Sequence, residues 1–327
     1  MKKKLLHIMM GQHNPDLKRG LDSVFDCFHF DWYPYLNVQP IFVAQNKVVL
    51  QAEVINKFNS FKPDVVFMHI QSGDVISIET AKYMAKNSLV LNWSGDVRHP
   101  LPQHYLDMGR NIHCTLFTNL NDIETCKQSG VNADYLQVGY DRENFTPFGK
   151  VSDKYPEIIF LGSNYTNCNF PLSSLRYEMV NRLKKEFGNK FGVYGAGWKG
   201  LESGNITYYA EEGKAYRSCK IAINLSHFAY KRYSSDRMYR ILGSGAFCLS
   251  HRFPHIEEDY KLGEELVVWE NIEHLVANIK YYLQNTRERE KIAIKGCYKA
   301  RTEYTWYHFA ENLEKILKSN KYETKLG

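Results

Sequence analysis

The sequence has no long apolar run, no Cys-x-x-Cys pair, no Asp-x-Asp pair and no internal repeat. Each absence excludes something. Without a stretch of about 20 apolar residues, a membrane-spanning helix has no candidate. The short apolar run in the opening MKKKLLHIMMG passes into Gln12, His13 and Asn14 instead of a small-residue cleavage site, so it is expected as a first buried strand, not a signal peptide. The seven cysteines, at 27, 114, 126, 168, 219, 248 and 297, are scattered and odd in number. That pattern argues against a disulfide framework and against a zinc site, and it suits a reducing cytoplasm. The missing Asp-x-Asp removes the usual paired-carboxylate cation site, so no bound metal is expected. Charge is nearly balanced: 42 Lys and Arg against 36 Asp and Glu leave a net +6. Such an excess suits phosphorylated ligands, anionic surfaces or nucleic acid and selects none of them.

What is present is a repeating alternation. Apolar runs of strand length occur at 5–10, 65–70, 89–93, 158–162, 191–195, 221–225 and 266–269. Continuous rather than alternating apolar runs are what strands covered on both faces require, which predicts parallel sheets. Amphipathic stretches lie between them, such as 46–60 with Val48, Ala52, Ile55 and Phe58 on one face, and 272–283 with Ile272, Leu275, Val276, Ile279 and Leu283. Strand and helix in alternation mean an α/β fold. At 327 residues the chain is long for one such domain and comfortable for two. The alternation breaks over 141–157, a polar stretch with two prolines and no period, where the domain boundary is expected. The expected division is 1–148, 149–303, and a last helix in 304–327 with Trp306, Phe309, Leu313 and Ile316 on one side, packing back across the domains.

Open parallel sheets collect ligands at the carboxyl ends of their strands. Four such loops stand out: Gly11 to Asn14, Trp93 to Arg98, Gly162 to Tyr165, and Tyr194 to Trp198. Any one of them is ordinary turn chemistry; four of them, in both halves, make a stronger pattern. The segment 233–250, YSSDRMYRILGSGAFCLS, is the most specific. Ser234, Ser235 or Asp236 caps a helix that carries Arg237 and Arg240 three positions apart, and the helix runs through glycine into a short strand from Ala246. Two arginines at a helix start form an anion site, and bidentate guanidiniums offset the desolvation of a diphosphate. The plain alternative is a solvated arginine face on a capped helix.

In order and spacing, several motifs resemble one family over nearly the whole chain. They are Trp93-x-x-Asp96-x-Arg98, Tyr135-Leu-Gln-Val-Gly-Tyr-Asp141, Phe160-Leu-Gly162, Tyr194-Gly-x-Gly-Trp198, Tyr216-x-x-x-Lys220-Ile-x-x-Asn224 and Asp236-Arg-x-Tyr-x-x-Leu-x-Ser-Gly245. The family is the GT-B glycosyltransferases, in the spore-maturation-like or group 1 branch. The resemblance implies two Rossmann-like domains facing a cleft, an N-terminal acceptor domain and a C-terminal donor domain. It also implies a nucleoside diphosphate sugar as donor, a UDP-sugar first, with no further cofactor. One departure stands out. The family's glutamate after the aromatic ahead of the Leu-x-x-Gly turn is Arg240 here, so the donor hydroxyl contact either passes to Asp236 or the donor differs.

The resulting expectations are specific. Gly162, Ser163, Tyr194, Gly195, Gly197, Trp198, Asn224, Asp236, Arg237 and Arg240 bind the donor, with the two arginines neutralising the departing diphosphate. Gln12, Trp93 and Arg98 bind the acceptor. Asp96 is the candidate general base, given burial that strengthens it, and His13 is the second candidate; the plain readings are a turn aspartate and an exposed loop imidazole. The acceptor is a saccharide or lipid-linked glycan hydroxyl, or alternatively a hydroxymethylated base in DNA. The rival classes are a nucleotide-sugar epimerase or hydrolase and a non-catalytic glycan- or nucleotide-binding module. The anomeric outcome stays open.

Overall fold

The structure, a computed structural model, describes the chain apart from residues 1, 12–14, 166–169, 205, 207–208 and 320–327 and the side chain of Ala210. It divides into two compact units. One comprises Met1–Val138 together with the terminal helix that begins at Trp306; the other is Gly139–Thr305.

The first unit is a six-stranded sheet in the order β2-β1-β3-β4-β5-β6. Its strands are β1 (Lys4–Met9), β2 (Asp26–Asp31), β3 (Val65–Met68), β4 (Leu89–Ser94), β5 (Cys114–Phe117) and β6 (Ala133–Tyr135). Its helices are α1 (Pro15–Val24), the short α2 (Tyr33–Leu36), α3 (Val43–Phe61), α4 (Ile78–Ala85), α5 (Gln103–Gly109) and α6 (Leu120–Gln128). Every strand pairing is parallel. Both faces of the central strands are therefore covered, which is why β1 and β3 read as unbroken apolar runs. The edge strand β2, DCFHFD, mixes polar with apolar and carries no such signal; β5, CTLF, is interrupted by Thr115, and β6 is only three residues long. Helix α3 buries Phe58 as expected but with Leu50 and Val54 in place of the rest of the expected stripe: Val48 is 71% exposed and Ala52 is exposed. Both stripes have helical period, and only packing on the sheet decides between them.

The second unit holds five parallel strands in the order β11-β10-β9-β7-β8. They are β7 (Ile158–Leu161), β8 (Phe191–Tyr194), β9 (Ile221–Asn224), β10 (Cys248–His251) and β11 (Val267–Trp269). The helices are α7 (Ser173–Phe187), α8 (Ala210–Ser218), α9 (Asp236–Gly243), α10 (Ile272–Gln284) and α11 (Thr286–Glu303). Phe160, Val193, Ile223, Leu249 and Trp269 from five strands share one core with Met179, Leu183, Leu275 and Ile279 of the covering helices. In both sheets the strand order reverses once, between β1 and β3 and between β7 and β9. These are the doubly wound, Rossmann-like reversals at which α/β proteins hold ligands.

The units divide at Val138 and Gly139 rather than at 148–149. Residues after Gly139 are tied into the second unit. The Tyr140 N–H donates to the Tyr304 carbonyl at 3.1 Å, Asp141 accepts from the Glu143 and Asn144 N–H groups, and Phe145 is fully buried beside the Tyr216 ring. A polar stretch whose charges are consumed locally marks irregular backbone, not a boundary. The last helix, α12 (Trp306–Lys318), joins the first unit. It buries Trp306, Phe309, Leu313 and Leu317, the last in place of Ile316, and its first carbonyl lies where a side chain on Gly20 of α1 would stand.

Candidate functional site

At the reversal in the second sheet, the loops leaving β7 and β8 are zipped together. The Gly162 N–H donates to the Tyr194 carbonyl and the Asn164 N–H to the Ala196 carbonyl, each at 2.8 Å, and the Ala196 N–H donates to Ser163 Oγ at 3.3 Å. A side chain on Gly197, whose φ is +85°, would place its first carbon 2.1 Å from the Asn164 carbonyl oxygen; one on Gly195, φ +137°, would strike the Gly162 backbone at 2.7 Å. The Gly-x-Gly pair is thus explained by two loops in contact. Tyr194 and Trp198 belong to the core rather than to a binding surface. Trp198 is 1% exposed and its indole N–H donates to the Gly162 carbonyl at 2.8 Å, so its single donor is already used.

Two arginines occupy the reversal point. Arg237 donates through Nε to the Leu161 carbonyl and through Nη1 to the Leu225 carbonyl at 3.2 Å, and so joins the ends of β7 and β9. Arg176, on α7, donates to the same Leu225 carbonyl and, through Nη2, to the Ser163 carbonyl at 2.8 Å. Both guanidiniums stand over the Phe160 ring, at 4.9 and 5.5 Å. Arg176 is 1% exposed, its Nε has no partner, and burial followed by the Arg237 charge pushes its pKa down. A guanidinium nevertheless stays protonated in a protein. Neither arginine forms an ion pair with a carboxylate among the described residues; Glu212, within electrostatic reach of Arg237, is spent on Arg240. Beside them the ring nitrogens of His227 are buried, and its pKa falls to about 3, through burial first and then Arg176 and Arg237, against a weaker Ser163 backbone contact that raises it. Tyr165 and Phe170 pack on this imidazole at 5.1 and 5.0 Å. Helix α9 starts here without a side-chain cap: Ser235 turns its hydroxyl towards Asn224 Oδ1 at 3.5 Å. Its first amides are left for other partners.

Arg240 does not join this site. It is buried, with Nη1 3.1 Å from Glu212 Oε2 and Nη2 2.6 Å from Asp236 Oδ2, and it lies over the Phe145 and Tyr209 rings. Two carboxylates already neutralise it, so the expectation that it serves a diphosphate is corrected. Three residues along a helix turn a side chain by about 60°, enough to send Arg237 to the strand ends and Arg240 into the α8–α9 contact. Asp236 is held by Arg240, and buried Asn224 donates to Ser250 Oγ at 3.0 Å. Burial outweighs Arg240 at Glu212 and raises its pKa.

In the first unit Trp93 is another correction. It is 1% exposed, its N–H donates to the Leu136 carbonyl at 3.0 Å, and it packs against Phe309 and Trp306, so it is core and not an acceptor platform. Its ring lies where a Gly95 side chain would be. Asp96 and Arg98 are exposed and face each other at 3.5 Å, with Arg98 also donating to Gln71 Oε1 at 3.0 Å. The burial that was to strengthen Asp96 as a base is absent. Gln12 and His13 lie outside the described residues. Gly11 sits against Asp31, whose Oδ1 accepts its N–H at 2.7 Å. His69, directly after β3 at the reversal point, packs on Trp93 and is held neutral by burial, its pKa lowered to about 4. The expectations passed over His69, Arg176, Glu212 and His227. Arg176 did leave a signal: it falls in phase with Met179, Val180 and Leu183, an arginine in an apolar stripe. The site's residues include no cluster of metal-ligand type among the described residues.

Residues 176–315 match the family described as glycosyl transferase-like. No curated protein matches the chain. Several solved structures do. HepE of Anabaena, determined with UDP-glucose, aligns with a TM-score of 0.66 at 11% identity over 97% of this chain and 100% of its own. A glycosyltransferase from Rickettsia africae aligns with a TM-score of 0.62 at 14% identity, over 97% and 98%. Sucrose-phosphate synthase from Thermosynechococcus elongatus gives 0.65 at 8% identity, over 97% and 99%. The chain therefore has the GT-B fold, with the glycosyl transferase-like match lying over residues 176–315.

Proposed function

We propose that the protein transfers a sugar from a nucleoside diphosphate sugar, with UDP as the leaving group, to an acceptor hydroxyl. The observation that carries this reading is the pair of cations, Arg176 and Arg237, that bridge the ends of β7 and β9 without an ion-pair partner among the described residues. A buried cation without a counter-ion is costly until an anion arrives. A diphosphate at the Gly162–Asn164 loop would take that place, and its charge grows as the glycosidic bond to the sugar breaks. Fixed donors aimed at developing charge are the largest catalytic term such a site offers. Tyr165, Phe170 and His227 supply ring faces beside the phosphates for a nucleoside. HepE, with the same fold, was determined with UDP-glucose.

The acceptor binds at the carboxyl edge of the first sheet, where Asp96, Arg98 and His69 stand. Asp96 is accessible to a substrate but tied to Arg98; His69 is neutral and so able to take a proton. The acceptor class is a saccharide or lipid-linked glycan.

Calorimetric titration with UDP and with uridine tests the donor site. Truncating one partner of a buried charged hydrogen bond costs 2–5 kcal/mol, so Arg176→Gln and Arg237→Gln should each weaken UDP roughly 30-fold or more. Uridine, which lacks the diphosphate, should bind wild type and variants alike. Equal UDP affinity in all three proteins would sink the assignment. Turnover with UDP-, GDP- and dTDP-sugars then identifies the donor. Asp96→Asn and His69→Gln should lower the rate, by roughly 10²–10⁴-fold for whichever is the base, without moving UDP affinity.

A further inference from the structure

Away from the sugar-nucleotide site, at the outer edge of the first sheet, three side chains of metal-ligand type converge. Cys27 and His29 are two residues apart on β2, so alternation puts both on one face. Asp22, in the last turn of α1, reaches the same point, and one ligand atom from each residue lies within 4.8 Å of the other two. Cys-x-x-Cys spacing is one arrangement that brings ligands together; a strand supplies the same proximity at i and i+2.

The hydrogen bonding of His29 gives it one tautomer that can ligate a cation. His29 Nε2 lies 3.1 Å from Asp22 Oδ1, and its Nδ1 lies 2.9 Å from Nδ1 of His7, which is fully buried and stands directly opposite in the β1–β2 register. Only one of the two facing Nδ1 atoms can carry a proton. With the proton on His7, His29 Nε2–H donates to the Asp22 carboxylate; with it on a neutral His29, the Nε2 lone pair faces that carboxylate and is free to ligate a cation that both hold. Donating the other ring N–H to a buried acceptor is what metal-bound imidazoles do, and it fixes the tautomer. His7 Nε2, buried with no partner, has no other evident use.

We propose that Asp22, Cys27 and His29 form a binding site for one divalent cation of zinc type, with His7 as the positioning residue for His29. Thiolate, imidazole and carboxylate together suit zinc or cobalt rather than magnesium or calcium. Tetrahedral ligation at zinc bond lengths separates ligand atoms by about 3.5 Å, so ligand atoms within 4.8 Å of one another must close by about 1.3 Å at most. The half-exposed Asp22 side chain can supply that movement. On binding, the Cys27 sulfur–hydrogen bond breaks, its proton leaves to solvent, and a sulfur–metal bond forms. Water takes the fourth position. The cation clips the end of α1 to the edge strand.

The test is cobalt(II) titration of the full-length protein stripped with chelator, read by absorption, followed by displacement with zinc(II). One equivalent should give the intense near-ultraviolet thiolate-to-cobalt band together with visible bands of tetrahedral intensity, and zinc should bleach both. Cys27→Ser should abolish the thiolate band. His7→Phe should keep the band but weaken affinity by roughly 10–100-fold, as removal of an outer partner does. Near-ultraviolet circular dichroism of each variant checks the fold. No thiolate band in the wild type would overturn the proposal, as would an undiminished band in Cys27→Ser. Should His7→Phe fail to fold, Asp22→Asn provides the second weakening variant; unchanged affinity there would remove Asp22 from the site.

Discussion

An arginine below 10% exposure with two carboxylates is a different object from an arginine below 10% exposure with none. Arg240 is the first kind and Arg176 the second, and the difference assigns one to structure and the other to ligand. Removing one member of a buried pair leaves the other charged and unpaired, at a cost of about 3–5 kcal/mol, whereas replacing both with apolar groups is often neutral. Arg240→Met alone should therefore destabilise the second unit by about that amount. Arg240→Met with Glu212→Met should recover most of it, as a double-mutant cycle of chemical denaturation would read. Arg240→Glu would set a third carboxylate against Glu212 and Asp236, and it should be worse than Met. An Arg240→Met protein as stable as wild type, with UDP affinity lost, would put Arg240 back among the ligand contacts.

Among elements, the loops after β7 and β8 show how much of a glycine motif is packing. Gly197 and Gly130 both have positive φ, +85° and +72°, and differ in what surrounds them: the Asn164 carbonyl at 2.1 Å in one case, open space in the other. Gly130→Ala should cost only the left-handed conformation, about 1 kcal/mol. Gly197→Ala adds a backbone clash that the zipped loops relieve only by parting, so it should cost clearly more and weaken UDP as well. Thermal melts and UDP titration of the two variants check this. Equal costs would mean that the loops separate freely. The sequence named Gly162, Gly195 and Gly197 as loop glycines; that they face one another followed only from adjacent strands β7 and β8.

For the whole molecule, the last helix belongs to the unit farthest from it in sequence. Trp306, Phe309, Leu313 and Leu317 are each almost fully buried, and burying such a side chain contributes about 1.5–3 kcal/mol. Four of them sum to roughly 6–12 kcal/mol, comparable with the entire stability of a domain. A chain ending at Thr305 should therefore lose hydrogen-exchange protection throughout β1, β3 and β4 while β7, β9 and β10 keep theirs. Protection retained in both sets would show α12 to be dispensable. No helix among the described residues is long and apolar enough to cross a membrane, and the six described cysteines are free.

The sequence alone determined most of the elements covered on both faces, β5 excepted, and the class of fold. Unbroken apolar runs specify buried parallel strands, helical periods specify the layers over them, and both depend on neighbours close in the chain. It did not determine β2, whose pattern is that of a half-exposed edge, nor which of two stripes α3 buries. It placed Arg237 near phosphate chemistry and added Arg240 on the same ground, because spacing says which turn of a helix a cation occupies but not what meets it. Tertiary structure decided that Arg240 meets Glu212 from α8, that Trp93 and Trp198 spend their indole N–H groups inside the core, and that Arg176 arrives from α7 beside Arg237. Burial and charge pairing join residues far apart in the chain, and a charge has no function until its neighbours are fixed.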